Sequence, residues 1–157
     1  MASCMGCMLG CLFIVAALLQ GAAAQTTHEV GELIVGGYYV WKVPSANFSY
    51  ATWSANQTFT VGDKLQFNFA TNDHDVAVVS KAAYESCIKT DYYSIYNKTS
   101  TITIESAGEH YYICTIDQHC ENNQKVAIMV SGSSILSYSP ALTLLLLLGA
   151  ASLFFFF

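Results

Sequence analysis

The sequence predicts an all-β domain, a two-sheet Greek-key sandwich or small barrel of about seven strands. Short runs rich in aromatic and β-branched residues recur along the chain with turn residues between them, and no stretch repeats its apolar residues with a helical period. The clearest run follows the turn Gly62-Asp63. There Leu65, Phe67 and Phe69 alternate with the polar Lys64, Gln66 and Asn68, as on a strand with one face buried.

In chain order, strands are expected over residues 34–41, 58–61, 65–69, 76–80, 101–105, 110–114 and 125–130. In the last of these Val126, Ile128 and Val130 share a face, the period-2 signature of a strand laid on a core. Residues 82–97 are less regular and have room for a helical turn. The pairs Tyr38-Tyr39, Tyr92-Tyr93 and Tyr111-Tyr112 read as sheet residues with alternate exposure, one ring of each pair inward and the other outward.

Two apolar ends frame this domain. The chain has 157 residues, 54% of them hydrophobic, and a mean hydropathy of +0.39, too apolar for an ordinary soluble domain unless the excess is localised. Residues 1–24 carry no charged side chain, run apolar from 9 to 19 and close with Gly21-Ala22-Ala23-Ala24, small residues that suit a signal peptidase. A signal peptide cut after Ala24 is expected. At the other end, residues 141–157 form an apolar tail, shorter than the roughly 20 residues of a membrane-spanning helix and without a basic flank. Ser131-Gly132-Ser133-Ser134 and a charge-free spacer at 135–140 precede it. That is the pattern of a GPI-anchor signal, with Ser131 or Gly132 as the attachment residue. The expected divisions are a signal peptide at 1–24, the folded domain at 25–131, and an anchor signal with its hydrophobic tail, removed on processing, at 132–157.

Of the six cysteines, Cys4, Cys7 and Cys11 leave with the signal peptide, so Cys87, Cys114 and Cys120 remain. In an oxidising secretory route two of the three should pair, and the odd one is either a liability or a ligand. Sequons at Asn47, Asn56 and Asn97 support secretion separately and are expected to carry N-glycans. The net charge is −5, with no basic cluster, which excludes nucleic acid as a partner. No Ser-His-Asp spacing, phosphate loop or zincin motif appears, and the scattered acids form no catalytic pair. A monomer that is not an enzyme is expected.

The chemistry is concentrated in Cys114-Thr115-Ile116-Asp117-Gln118-His119-Cys120-Glu121-Asn122-Asn123-Gln124. A cysteine at a strand end, a histidine five residues on and an oxygen donor five further on can converge when a tight loop folds the chain back. His74, between Asp73 and Asp75, offers a second imidazole from a distant strand. Two imidazoles, one thiolate and a weak axial donor form the trigonal copper site of electron-transfer proteins; thiolate suits Cu(I), imidazole suits both oxidation states, and neither state is strongly favoured. Zinc is the competing metal. It would need Cys120 as a ligand beside His119, and adjacent residues on an extended backbone point to opposite sides. His28 and His110 are read as surface or hydrogen-bonded residues.

With these motifs, the opening His28-Glu29-Val30-Gly31 and the segment Trp41-Lys42-Val43-Pro44, residues 27–131 resemble the plant phytocyanins, the cupredoxin family that includes stellacyanins, uclacyanins and plantacyanins. The resemblance implies a cupredoxin-like Greek-key sandwich and one copper held by His74, Cys114 and His119, with Gln124 in the axial place as in stellacyanins. It implies a disulfide between Cys87 and Cys120, which leaves Cys114 free for the metal. It also implies single-electron transfer with an unknown redox partner or small redox-active molecule, at the outer leaflet of the plasma membrane and facing the cell wall. Asn123 stands where the family usually places glycine. Asp75 stands where asparagine is frequent, and its carboxylate either tunes the site or faces water. The alternative reading is a glycosylated cell-surface structural or signalling module with a vestigial copper site.

Overall fold

Alternation along two strands locates the core. Leu65 and Phe67 turn inward from Lys64–Phe67, and Val126, Ile128 and Val130 do so from Lys125–Ser131. The computed structural model describes residues 24–132. The proposed signal peptide up to Ala23 and the proposed anchor signal beyond Gly132 therefore lie outside the described residues. In chain order the elements are β1 (Thr27–Val30), β2 (Glu32–Leu33), β3 (Tyr39–Val40), α1 (Tyr50–Ala55), β4 (Phe59–Thr60), β5 (Lys64–Phe67), β6 (Val76–Val79), α2 (Lys81–Ser86), β7 (Tyr92–Tyr96), β8 (Ser100–Thr103), β9 (Gly108–Ile113) and β10 (Lys125–Ser131).

One sheet has the order β1-β5-β8 and the other β4-β10-β9-β6-β7, with a two-stranded ribbon β2-β3 beside them. Neither large sheet closes on itself, so the sandwich form of the expectation holds and the barrel form does not. β1 runs parallel to β5 and β4 parallel to β10, while the remaining ladders are antiparallel. Trp41, Phe59, Leu65, Phe67, Tyr112, Val126 and Cys114 are all part of one buried cluster. The free sulfur thus sits at the margin of the core itself.

Three local expectations needed revision. Residues 34–41 do not form one strand, because Gly36 and Gly37, both at positive φ, turn the chain between β2 and β3. Residues 50–55 form a helix too short to show a period; its signal was Ser49, whose hydroxyl accepts from the Thr52 amide as an N-cap. Tyr111 and Tyr112 are both buried instead of alternating, and Tyr92 and Tyr93 are both exposed. β9 is an inner strand covered on both faces, with Tyr84 of α2 tilted against Tyr111 at a ring-centroid distance of 5.2 Å, whereas β7 is a sheet edge. Gly31 is irreplaceable for a steric reason: a Cβ there would lie 2.2 Å from the Val40 carbonyl oxygen.

A buried carboxylate ties the start of the domain to the turn before β5. Asp63 accepts from the Thr26 and Thr60 amides, each at 2.9 Å, and meets His28 Nε2 at 3.2 Å. His28 is itself buried, with Nδ1 3.4 Å from Gln57 Oε1. Burial alone would raise the Asp63 pKa, but these hydrogen bonds outweigh it and bring the group down to about 2. A depressed carboxylate stabilises the fold fully above its unfolded value of 3.8 and loses that contribution as pH falls through about 2. Urea unfolding of the metal-free protein should therefore show stability dropping between about pH 4 and pH 2. In Asp63→Asn, which turns an amide NH2 toward donors, stability at pH 7 should fall by about 1–3 kcal/mol and this acid slope should flatten. An unchanged slope would remove Asp63 from the account.

Candidate metal centre

β9 ends at Ile113 and β10 begins at Lys125, and the loop between them is drawn shut by the Cys114 amide donating to the Gln124 carbonyl at 3.1 Å. Inside it the His119 amide donates to the Ile116 carbonyl at 3.0 Å and the Gln124 amide to the His119 carbonyl at 2.9 Å. Two tight bends make this closure sterically feasible, at Asp117 (φ 41°) and Asn123 (φ 68°). Asn123 thus takes the left-handed conformation that the usual glycine would take, a conformation asparagine tolerates better than most residues. Cys120 is bonded to Cys87, which lies at the end of α2 with a Cα–Cα distance of 5.8 Å. The bridge fixes the middle of the loop to the helix across a separation of 33 residues, a constraint worth about 3–4 kcal/mol in the chain-entropy account.

His74 comes from the loop between β5 and β6, and its neighbour Asp75 holds that loop against the first one. The Asp75 carboxylate accepts from the Thr115 amide at 2.6 Å and from the Thr115 hydroxyl. Its backbone carbonyl accepts from the Trp41 indole N–H at 2.8 Å. Asp75 is 4% exposed, so the alternative of a side chain facing water is ruled out.

These contacts bring together the ring of His74, the ring of His119 and the Cys114 sulfur, with one donor atom of each within 4.8 Å of the others. His74 Nδ1 lies 3.2 Å from His119 Nδ1, which lies 3.4 Å from Cys114 Sγ. The rings are half-buried, whereas Cys114 and Gln124 are fully buried. Burial pushes the Cys114 thiol up to about 11, against the opposing pull of the Asp75 and Ile116 backbone amides. His74 is shifted down, first by burial and then by the adjacent His119. The Gln124 amide comes near enough to His74 to favour its charged form, yet among the described residues neither Nε2 nor Oε1 makes a hydrogen bond of normal geometry. A buried amide left unpartnered costs about 1–3 kcal/mol, and this one stands beside three metal-ligating side chains. A thiol, two imidazoles and a spare amide oxygen are donors suited to a metal that accepts sulfur and nitrogen together.

A family model described as a plastocyanin-like domain matches residues 41–124. Cucumber peeling cupredoxin from Cucumis sativus is 37% identical over 111 residues, which cover 68% of this chain and 81% of that protein. The chain belongs to the phytocyanin family. A blue copper protein of Arabidopsis thaliana is 42% identical over 97 residues, 61% of this chain but 50% of that protein, so the chain spans half the length of that relative. Among solved structures, cucumber stellacyanin with Cu2+ superimposes with a TM-score of 0.58 at 34% identity, covering 71% of this chain and all of that one.

Against this phytocyanin frame, all four residues singled out from the sequence lie at one place, with His74, Cys114 and His119 as one cluster and Gln124 at its side. His28 and His110 lie elsewhere, hydrogen-bonded to Asp63 and to the Ser106 carbonyl. Cys120 is held in the disulfide, which removes the donor that a zinc site would have required. Thr115 was not singled out from the sequence. Its partner is 40 residues away, and a threonine after a cysteine carries no local signal of that contact.

Proposed function

We propose that this protein carries single electrons at the outer face of the plasma membrane, using one copper held by His74, Cys114 and His119 with Gln124 as a weak axial donor. The observation that carries this reading is the convergence of the His74, Cys114 and His119 donor atoms within 4.8 Å beside a buried amide that has no other partner among the described residues. Copper bound by two imidazoles and a thiolate supplies a one-electron Cu(II)/Cu(I) couple. The chain's own contribution is to hold those donors ready before any metal arrives. Cys114 is fixed through its backbone amide, His119 through the closed loop and the Cys87–Cys120 bridge, and His74 through Asp75 and Thr115. Donors restrained in this way move little when the charge at the centre changes. Burial of Cys114 and Gln124 keeps water from the sulfur side, and the half-buried imidazole rings are where a redox partner or small redox-active molecule approaches.

The sequons at Asn47, Asn56 and Asn97, the proposed signal peptide and the proposed anchor after Ser131 or Gly132 complete the reading of a cell-surface protein facing the cell wall. Phosphatidylinositol-specific phospholipase C should release the protein from membranes; detection of the 154–157 peptide in the mature protein would refute the anchor. The copper reading is tested by titrating the metal-free protein with Cu(II). Uptake of one equivalent with an intense blue band is expected, and Cys114→Ser should lose the band while keeping the fold, since a hydroxyl cannot replace the copper–sulfur bond. A colourless protein that takes up no copper would favour the cell-surface module instead. Gln124→Met exchanges a hard oxygen donor for a soft thioether, which favours Cu(I), so the blue colour should persist and the reduction potential should rise. An unchanged or lower potential in voltammetry at one pH would take Gln124 out of the ligand set.

A further inference from the structure

Asn47 and Asn56, both sequon asparagines, lie just before and just after α1 and border one depression of about 330 Å3 together with Phe48, Thr52 and Trp53. Asn56 is the C-cap of that helix, and its amide reaches back to the Trp53 carbonyl at 3.3 Å. Residues three apart on a helical turn occupy the same side, so the Asn56 side chain and the Trp53 ring share the rim of this depression. Trp53 is only partly buried. It packs on Phe59, with ring centroids 5.9 Å apart, and lines both this depression and a neighbouring one beside His28 and Gln57. Asn56, Gln57 and Thr58 are all exposed, so the sequon is open to a transferase.

We infer that the first N-acetylglucosamine of an Asn56 glycan packs into this depression against Trp53. The inference rests on Asn56 being glycosylated and adds to that a specific resting place for the sugar. One face of the pyranose ring presents only C–H groups, which are slightly positive and meet the electron-rich face of an indole in the way cations and aromatic edges do. The rim contributes the Thr52 hydroxyl to the sugar's hydroxyls and acetamide. The attachment point adjoins the platform, so little chain entropy opposes the contact. The glycan would thereby cover an aromatic surface that otherwise contacts water, and would reinforce a helix of only six residues.

The test uses the full chain, expressed with high-mannose glycans in an Asn47→Gln, Asn97→Gln background so that Asn56 carries the sole sugar. Endoglycosidase H trims that glycan to one N-acetylglucosamine, and peptide N-glycosidase F removes it. The intact and trimmed forms should share one Tm, and the sugar-free form should melt about 4 °C lower, the shift an aromatic packing contact causes in a domain of this size. In Trp53→Leu, which keeps apolar bulk on Phe59 but lacks the flat ring, the difference between trimmed and sugar-free forms should shrink to what the change of Asn56 to aspartate causes in both backgrounds. Comparing differences within each background cancels the charge that the deglycosylating enzyme leaves at Asn56. Nuclear Overhauser contacts between the indole protons and the first sugar of the trimmed form give a readout that does not depend on the variant folding. A mass that shows no sugar at Asn56 would overturn the premise, while a glycan present without indole contacts, or a Tm difference as large in Trp53→Leu as with Trp53 in place, would overturn the packing.

Discussion

The Asp75 carboxylate accepts hydrogen bonds from the Thr115 amide and hydroxyl, and across 40 residues of sequence that contact sets His74 against Cys114. Each ligand is one residue from the bridge, so neither loop can shift without breaking it. The carbonyl of the same residue is held by the Trp41 indole, which packs at 4.8 Å on Tyr50 and at 5.2 Å on Phe67 in the core. A carboxylate taken out of water carries a penalty of several kcal/mol, and hydrogen bonds to a charged group return roughly 1.5–3 kcal/mol each. The bridge is thus near balance in energy. What it adds is position.

Asp63 solves a similar problem at a different place. It gathers the Thr26 and Thr60 amides and the His28 ring where the domain begins, next to the turn that leads into β5. In both cases a short acidic side chain extends a sheet ladder past its end, β1-β5 for Asp63 and β6-β9 for Asp75, and in both cases it is buried among neutral donors or a histidine instead of being paired with lysine. The surface ion pairs, such as Lys89 with Glu121 at 2.9 Å, add little by comparison because water screens them. Lys89 also donates to the Asp117 carbonyl at the first bend of the β9-β10 loop.

The strands with clean alternation were legible from the sequence because a buried face imposes period two. β5 and β10 follow it residue by residue, with Leu65, Phe67, Val126, Ile128 and Val130 inward. β1 was not foreseen as a strand, since half of its inward pair is His28, a residue that counts as polar until Asp63 is seen beside it. The turn of the ribbon was read together with β3 as one strand over 34–41, because its glycines interrupt a run that is otherwise aliphatic and aromatic, and β2 was not foreseen. The metal cluster was legible because five-residue spacings within one loop survive translation into space. Its supports were not: Thr115 and Trp41 meet Asp75 only through tertiary structure, and sequence order places them 40 and 34 residues away.

β10 starts at Lys125, immediately after Gln124, and runs seven residues to Ser131. At about 3.4 Å per residue in an antiparallel ladder, the strand places its last residue some 20 Å from the ligand loop. The domain therefore has two poles, with the donor cluster at one and the exit of the chain at the other. A tether attached near Ser131 would pull on the far pole, so the imidazole edges would point away from whatever surface holds the protein. Partners arriving from outside would meet the centre head-on, and those lying flat on the membrane would be kept a strand's length away from it.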